Sequence, residues 1–239
     1  MKCVALVTGA GRGLGRILAT FLAGQGHDIV ITARTSAELQ DVAQSLEGTG
    51  VRVVAIPGDI TDPMHRNRLL QQTRMIGGLG LLVNNASDLG EIPRPELAIA
   101  SLERFRVTLE TNLVAPLALI QEALPQLERT RGLVVNISSD ASKGGYERWG
   151  IYGSSKAALD LASKTLAAEL KPRHISVVSV DPGDMRTRMH QDAFPGEDIS
   201  DRPLPEVTVP FWAWLINQDP ERITGMRYHA QGAMWEIPA

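Results

Sequence analysis

Seven short runs of almost unbroken apolar residues alternate with stretches of helical periodicity, and this alternation sets the strongest limit on what the chain can become. The runs are Cys3–Val7, Asp28–Thr32, Arg52–Ile56, Leu81–Asn84, Leu133–Ile137, Ile175–Val180 and Met226–His229. Most are rich in Val and Ile and lack polar alternation, the pattern of strands buried on both faces of a parallel sheet. Amphipathic stretches lie between them at Leu14–Ala23, Ala37–Leu46, Pro63–Ile76, Ser101–Leu127, Tyr152–Leu170 and Glu206–Ile216. Strict alternation of this kind predicts an α/β doubly wound parallel sheet of seven strands with helices on both faces.

Local signals agree with these boundaries. Gly24 and Gly26 follow the first helical stretch, and Pro172 closes the fifth. Asp62 before Pro63 reads as an N-cap with proline at the first helical position. One sheet of this type uses nearly all of the 239 residues, so 1–239 reads as a single domain. The segment 184–205, with three prolines from Pro195 to Pro205, is the least regular part. It reads as a long loop, either a lid over the site or a plain surface excursion.

Composition excludes several function classes. The 24 Lys and Arg against 27 Asp and Glu leave a net charge of −3, with no excess to neutralise phosphate backbones, so nucleic acid is not expected as a partner. The lone Cys3 allows no intrachain disulfide and fits a reducing compartment. Leu113–Ile120, like every other run without polar residues, is far too short to span a membrane, and no signal peptide is evident. A cytoplasmic protein without membrane contact is therefore expected. His65, His174, His190 and His229 show no ligand spacing, so no metal is expected.

In open parallel sheets, ligands bind at the carboxyl ends of the strands. Here those ends carry unusual residues. The first strand runs into Thr8-Gly9-Ala10-Gly11-Arg12-Gly13-Leu14-Gly15, a glycine-rich turn before a helix that offers N–H groups and a positive dipole end to a pyrophosphate. The glycines fit T-G-x-x-x-G-x-G, not G-x-G-x-x-G. An NAD site calls for an acidic residue about 20 residues further on. Ala33 and Arg34 stand there instead, and Arg34 with Arg12 suits a 2′-phosphate, which favours NADP(H) over NAD(H). Tyr152 and Lys156 share a helix face, so a close ammonium is expected to favour the phenolate. The same spacing also describes an ordinary helix face.

Taken together, these motifs resemble the short-chain dehydrogenase/reductase family in its compact single-domain branch, with a doubly wound (Rossmann) fold. The resemblance runs from Thr8 to about Gly225 and rests on Thr8-Gly9-x3-Gly13-x-Gly15, Asp59, Asn84-Asn85-Ala86, Asn112, Ser139, Tyr152-x3-Lys156 and Pro182-Gly183-x3-Thr187. It implies hydride transfer between NADP(H) and a ketone, aldehyde or secondary alcohol. Tyr152 would be the general acid/base, Ser139 would bind the substrate oxygen, and Lys156 would hold the nicotinamide ribose. Asn112 would hold a water in a relay to Lys156. Asp59 would bind the adenine amino group, with Ile60 against the ring. Asn84, Asn85 and Ala86 would line the cofactor, Asn84 also tying neighbouring strands. Thr187 would bind the carboxamide, with Leu14, Pro182 and Gly183 close to the cofactor. The resemblance also implies a homodimer or homotetramer formed through the two long helices.

The chain departs from the family pattern in three places. Ser87 replaces the glycine that usually follows Asn-Asn-Ala. Asp184 adds an acid after Pro182-Gly183, facing a polar substrate or capping a turn. The usual Gly-Gly ending is replaced by Tyr228-His229-Ala230-Gln231-Gly232-Ala233, which leaves the packing of the tail open. Trp149, Tyr146, Met185, Met189 and Phe194 are candidate pocket walls or ordinary packing, and Trp212, Trp214 and Trp235 suggest core or subunit contacts. A small-molecule carbonyl reductase and a 3-oxoacyl thioester reductase both fit, as does a non-catalytic NADP-sensing protein.

Overall fold

The computed structural model describes residues 3–237. Seven strands, β1 (Val4–Thr8), β2 (Ile29–Thr32), β3 (Val53–Ala55), β4 (Leu79–Asn84), β5 (Leu133–Ile137), β6 (Ser176–Asp181) and β7 (Arg227–His229), form one sheet. The order is β3-β2-β1-β4-β5-β6-β7 and every pairing is parallel. All seven sequence-predicted strands are present, within two residues at either end. The chain builds outward from β1 to β3, then returns across the sheet to β4. A crevice therefore opens between β1 and β4, at the carboxyl ends of the strands.

The apolar runs are unbroken because each strand serves two cores. In β1, Ala5 and Val7 face one core while Val4 and Leu6 face the other. The first core receives α1 (Gly13–Gly24), α2 (Ser36–Ser45) and α8 (Val209–Leu215) through Leu14, Leu18, Leu39 and Phe211. The second receives α3 (Pro63–Met75), α5 (Ala115–Thr130) and α6 (Gly150–Leu170) through Leu69, Leu119, Ile120 and Leu170. Asp62 caps α3 as expected, its carboxylate accepting from the Met64 N–H at 2.9 Å.

Two expectations need correction. The predicted helix Ser101–Leu127 is not continuous. It consists of α4 (Leu102–Leu109), a π-helical turn at Glu110–Val114, and α5. Pro116 has no N–H to give the Asn112 carbonyl four residues back, and the Asn112 side chain is held by the segment after β4. The segment 184–205 is not wholly irregular. It contains α7 (Arg188–Ala193), capped by Thr187, whose hydroxyl accepts from the His190 N–H at 3.1 Å. Met185, Ala193 and Ile199 are buried, so the segment packs down on the protein. A short helix, α9 (Pro220–Ile223), precedes β7.

Candidate active site

The glycine turn is laced to the end of β4. The Thr8 hydroxyl accepts from the backbone N–H groups of Asn85 and Ala86, both at 3.0 Å. The Asn85 amide donates to the carbonyls of Thr8 and Gly9 at 2.9 and 3.1 Å. Backbones this close require glycine. Gly9 has φ +66°, and a Cβ there would stand 2.9 Å from the Ala86 Cα. A Cβ on Gly15 would press into the Gly9 carbonyl oxygen. The first turn of α1 holds no acidic side chain, so its positive end remains available to an anion.

The positive residues sit at the β2 end. Arg34 is exposed and has no ion-pair partner among the described residues, while Arg12 pairs with Glu38 at 3.4 Å. Asp59 accepts from the Thr61 N–H and hydroxyl at 2.9 and 2.8 Å, all through Oδ1. Partial burial works to raise its pKa, but these bonds, with Arg34 and His65 nearby, prevail and hold it below the usual carboxylate range. Its Oδ2 is left over for a ligand donor.

Opposite lies the Tyr152 and Lys156 pair on α6, both buried. The Lys156 ammonium donates to the Ile137 carbonyl at 2.8 Å and lies 5.6 Å from the Tyr152 ring centre. Spacing alone expects the cation to lower the phenol's pKa. Here burial dominates and pushes the phenol up to about 12, opposed by the neighbouring Ser87 and Ser139 hydroxyls, while Asp181 and Asp140 add to the rise. Burial also brings Lys156 down to about 8, against the pull of Asp160. Asn112 is fully buried and fully used. Its Oδ1 accepts from the Asp88 N–H at 2.7 Å and the Ser87 hydroxyl at 3.2 Å, and its Nδ2 donates to the Asp88 carbonyl and the Ser155 hydroxyl.

Arg227 on β7 supports this end. It bonds Asp160 at 2.9 Å, Asp181 at 3.2 Å and the Ser139 carbonyl at 2.7 Å. The tail is anchored by Gln231, which donates to the carbonyls of Pro182 and Asp184, and a Cβ on Gly183 (φ +73°) would collide with it. The three late tryptophans join Phe211 and Tyr228 in an aromatic cluster. Asp184 is an exposed partner of Arg202, at 3.8 Å.

A cavity of about 350 Å³ connects the two ends. Of the sequence-predicted site residues it is lined by Gly9, Arg12, Gly13, Leu14, Gly15, Arg34, Asp59, Ile60, Asn85, Ala86, Tyr152, Lys156, Pro182 and Thr187. Thr8, Asn84, Asn112, Ser139 and Gly183 are not part of this lining; Asn84 is turned into the sheet, donating to Asn136 at 2.8 Å. Met185 and Met189 line the cavity, and Phe194 packs at a tilt of 55° against Trp149, which meets Tyr152 edge-on at 5.7 Å. Sequence reasoning did not assign a role to Glu38 or to Arg94, whose guanidinium lies 3.7 Å over Trp149 and 4.8 Å from Phe194.

A family model described as short chain dehydrogenase matches residues 3–198. An uncharacterized oxidoreductase of Staphylococcus aureus is 32% identical over 188 residues, 77% of this chain and 78% of the relative. A structure from Pseudomonas syringae described as a short chain dehydrogenase superposes with a TM-score of 0.89 at 31% identity, covering 96% of this chain and 94% of the other. A Shigella flexneri structure of the same description, complexed with NADP, gives a TM-score of 0.88 at 30% identity, covering 96% and 97%.

Proposed function

The chain belongs to the short-chain dehydrogenase family, and from that premise we propose that it reduces a ketone or aldehyde with NADPH, or oxidises the corresponding alcohol with NADP. The observation that carries this reading is one cavity with a cradle for pyrophosphate and two arginines at one end and the buried Tyr152 and Lys156 at the other. The cradle fits a dinucleotide, because every side chain that would fill it is missing at Gly9, Gly13 and Gly15. A similar structure that carries NADP supports the cofactor class. When bound, NADPH supplies the hydride that adds to the carbonyl carbon.

This chain's residues do the rest. Tyr152 gives its proton to the carbonyl oxygen and is left as phenolate, and Ser139 hydrogen-bonds the same oxygen. A phenol pushed up to about 12 stays protonated at neutral pH, which suits the reductive direction. Lys156 holds the ribose hydroxyls and offsets the charge that develops on Tyr152. Arg34 and Arg12 take the 2′-phosphate and give NADP(H) its preference, Asp59 takes the adenine amino group, and Thr187 the carboxamide. Residues 184–205 cover the substrate end of this one-domain chain.

The test is a panel of cyclohexanone, acetophenone, ethyl acetoacetate and benzaldehyde, followed by loss of NADPH absorbance. Turnover should be seen, Tyr152→Phe should abolish it, and the variant should still bind NADPH. No turnover across the panel, or near-normal turnover by Tyr152→Phe, would overturn the reading.

A further inference from the structure

Arg94, in the loop after β4, is a half-buried cation set against two aromatic rings. Its guanidinium carbon lies 3.7 Å over the Trp149 ring centre and 4.8 Å from that of Phe194, and the two rings touch each other at 5.9 Å. The rings offset part of the cost of taking the charge out of water. No acceptor completes the work. Among the described residues Arg94 makes no hydrogen bond and no ion pair, Glu197 acts on it only from a distance, and its Nη1 is shut off from solvent without a partner. His190 packs on Phe194 at 4.9 Å with its side chain nine-tenths buried. Its Nδ1 faces Asp184 at 3.8 Å, and its Nε2 is likewise buried without a partner. A buried donor of this kind costs free energy that an acceptor on a ligand would recover.

This cluster adjoins the proposed reaction centre. Ile92 and Asp192 line the cavity, two residues before Arg94 and Phe194 respectively, and Trp149 meets Tyr152 edge-on at 5.7 Å. An anion held by Arg94 stands one ring away from a carbonyl held by Tyr152. Resting on the reductase reading above, we infer that Arg94 determines specificity and that the substrate is an oxo acid, its carboxylate a few bonds from the ketone and bound by the guanidinium edge. The planar fork of an arginine matches a carboxylate with two parallel N–H groups. In reduction the hydride goes to the carbonyl carbon and the Tyr152 proton to its oxygen, which gives the hydroxy acid; the carboxylate changes no bond. A 3-oxoacyl thioester carries no charge this close to its ketone, so the short free acid is the better match to Arg94.

The experiment sets acetoacetate, 4-oxopentanoate and 5-oxohexanoate against their ethyl esters, with NADPH, in the parent and in Arg94→Met, which keeps an apolar stem on the rings. In the parent, kcat/KM for the best acid should exceed that of its ester by about tenfold or more. Arg94→Met should lower the acid by about ten- to hundredfold, chiefly through KM, and leave the ester within about threefold. A second measurement needs neither turnover nor the variant: calorimetry on the NADPH-loaded parent should show pentanoate bound at least about tenfold more tightly than pentanamide. Esters reduced as well as acids, or pentanoate bound no better than the amide, would overturn the inference. So would equal losses for acid and ester in Arg94→Met, which would make Arg94 a packing element between Trp149 and Phe194. If neutral ketones are reduced without any preference for the acids, only the role of Arg94 falls; if nothing is reduced, the reductase reading falls with it.

Discussion

Glu38 offsets part of the positive charge at the end of the cavity proposed to take the adenosine. It engages Arg12 at 3.4 Å, and both side chains are substantially solvated, so the pair itself is worth little. A 2′-phosphate would compete for Arg12, with the carboxylate left beside it as a repulsive neighbour. Glu38→Gln should therefore tighten NADPH by about three- to tenfold while leaving NADH nearly unchanged. Arg34→Asp should swing preference toward NADH. Fluorescence titration of both cofactors measures this directly, and an unaltered NADPH to NADH ratio in Arg34→Asp would remove the charge argument. Arg12 and Arg34 were legible in the sequence because strand-and-turn spacing alone places them. Glu38 was not, because it meets Arg12 across 26 positions and only the packing of α2 against the glycine turn brings them together. The same holds for Ser87, whose departure from pattern was visible but whose bond to Asn112, 25 positions away, depends on how the π-turn packs on the end of β4.

At the scale of elements, the strands were legible because burial on both faces leaves a simple mark, a run without polar interruption. The long helix after Ser101 was read as one piece because its apolar periodicity survives the break. The π-turn arises from Pro116 and from the hold of Ser87 and Asp88 on Asn112, which periodicity does not register. Helix α7 escaped notice because a six-residue helix among prolines has too few turns to show a period; Thr187 as its cap was the available signal. The join between β1 and α1 admits a strict test. Gly15→Ala puts a methyl group against the Gly9 carbonyl, with the Asn85 amide behind it, so the turn must open. NADPH affinity should fall by at least about a hundredfold, with an accompanying drop in melting temperature. Gly24→Ala, where nothing lies within 4 Å, should bind as the parent does. Parent-like NADPH binding by Gly15→Ala would show that the turn does not cradle the cofactor.

The whole molecule carries a cost for its site that pH can expose. Lys156 is buried and its pKa is brought down from 10.5 to about 8, so the folded chain holds this proton more weakly than the unfolded chain does. Below about pH 8 the lysine is charged in both states and the full penalty applies; between about 8 and 10.5 only the unfolded chain stays protonated, and the penalty fades as pH rises. Tyr152 acts in the opposite sense at higher pH. Its pKa is raised from 10.0 to about 12, so the unfolded chain loses that proton first and stability falls above about pH 10. Lys156→Met removes the buried charge while keeping the volume, and the Ile137 carbonyl loses its donor, which offsets part of the gain. The variant should be inactive yet more stable than the parent by about 1–3 kcal/mol at pH 7, with the advantage shrinking toward zero near pH 10. Denaturant unfolding of parent and variant at pH 7 and pH 10 measures both numbers. A variant less stable than the parent at pH 7, or an advantage that does not shrink with pH, would mean that the Lys156 ammonium carries no desolvation cost in the folded chain. Binding of NADPH should narrow the difference at pH 7, because the ribose hydroxyls proposed to meet Lys156 would add partners to a charge whose partner within the chain is the Ile137 carbonyl.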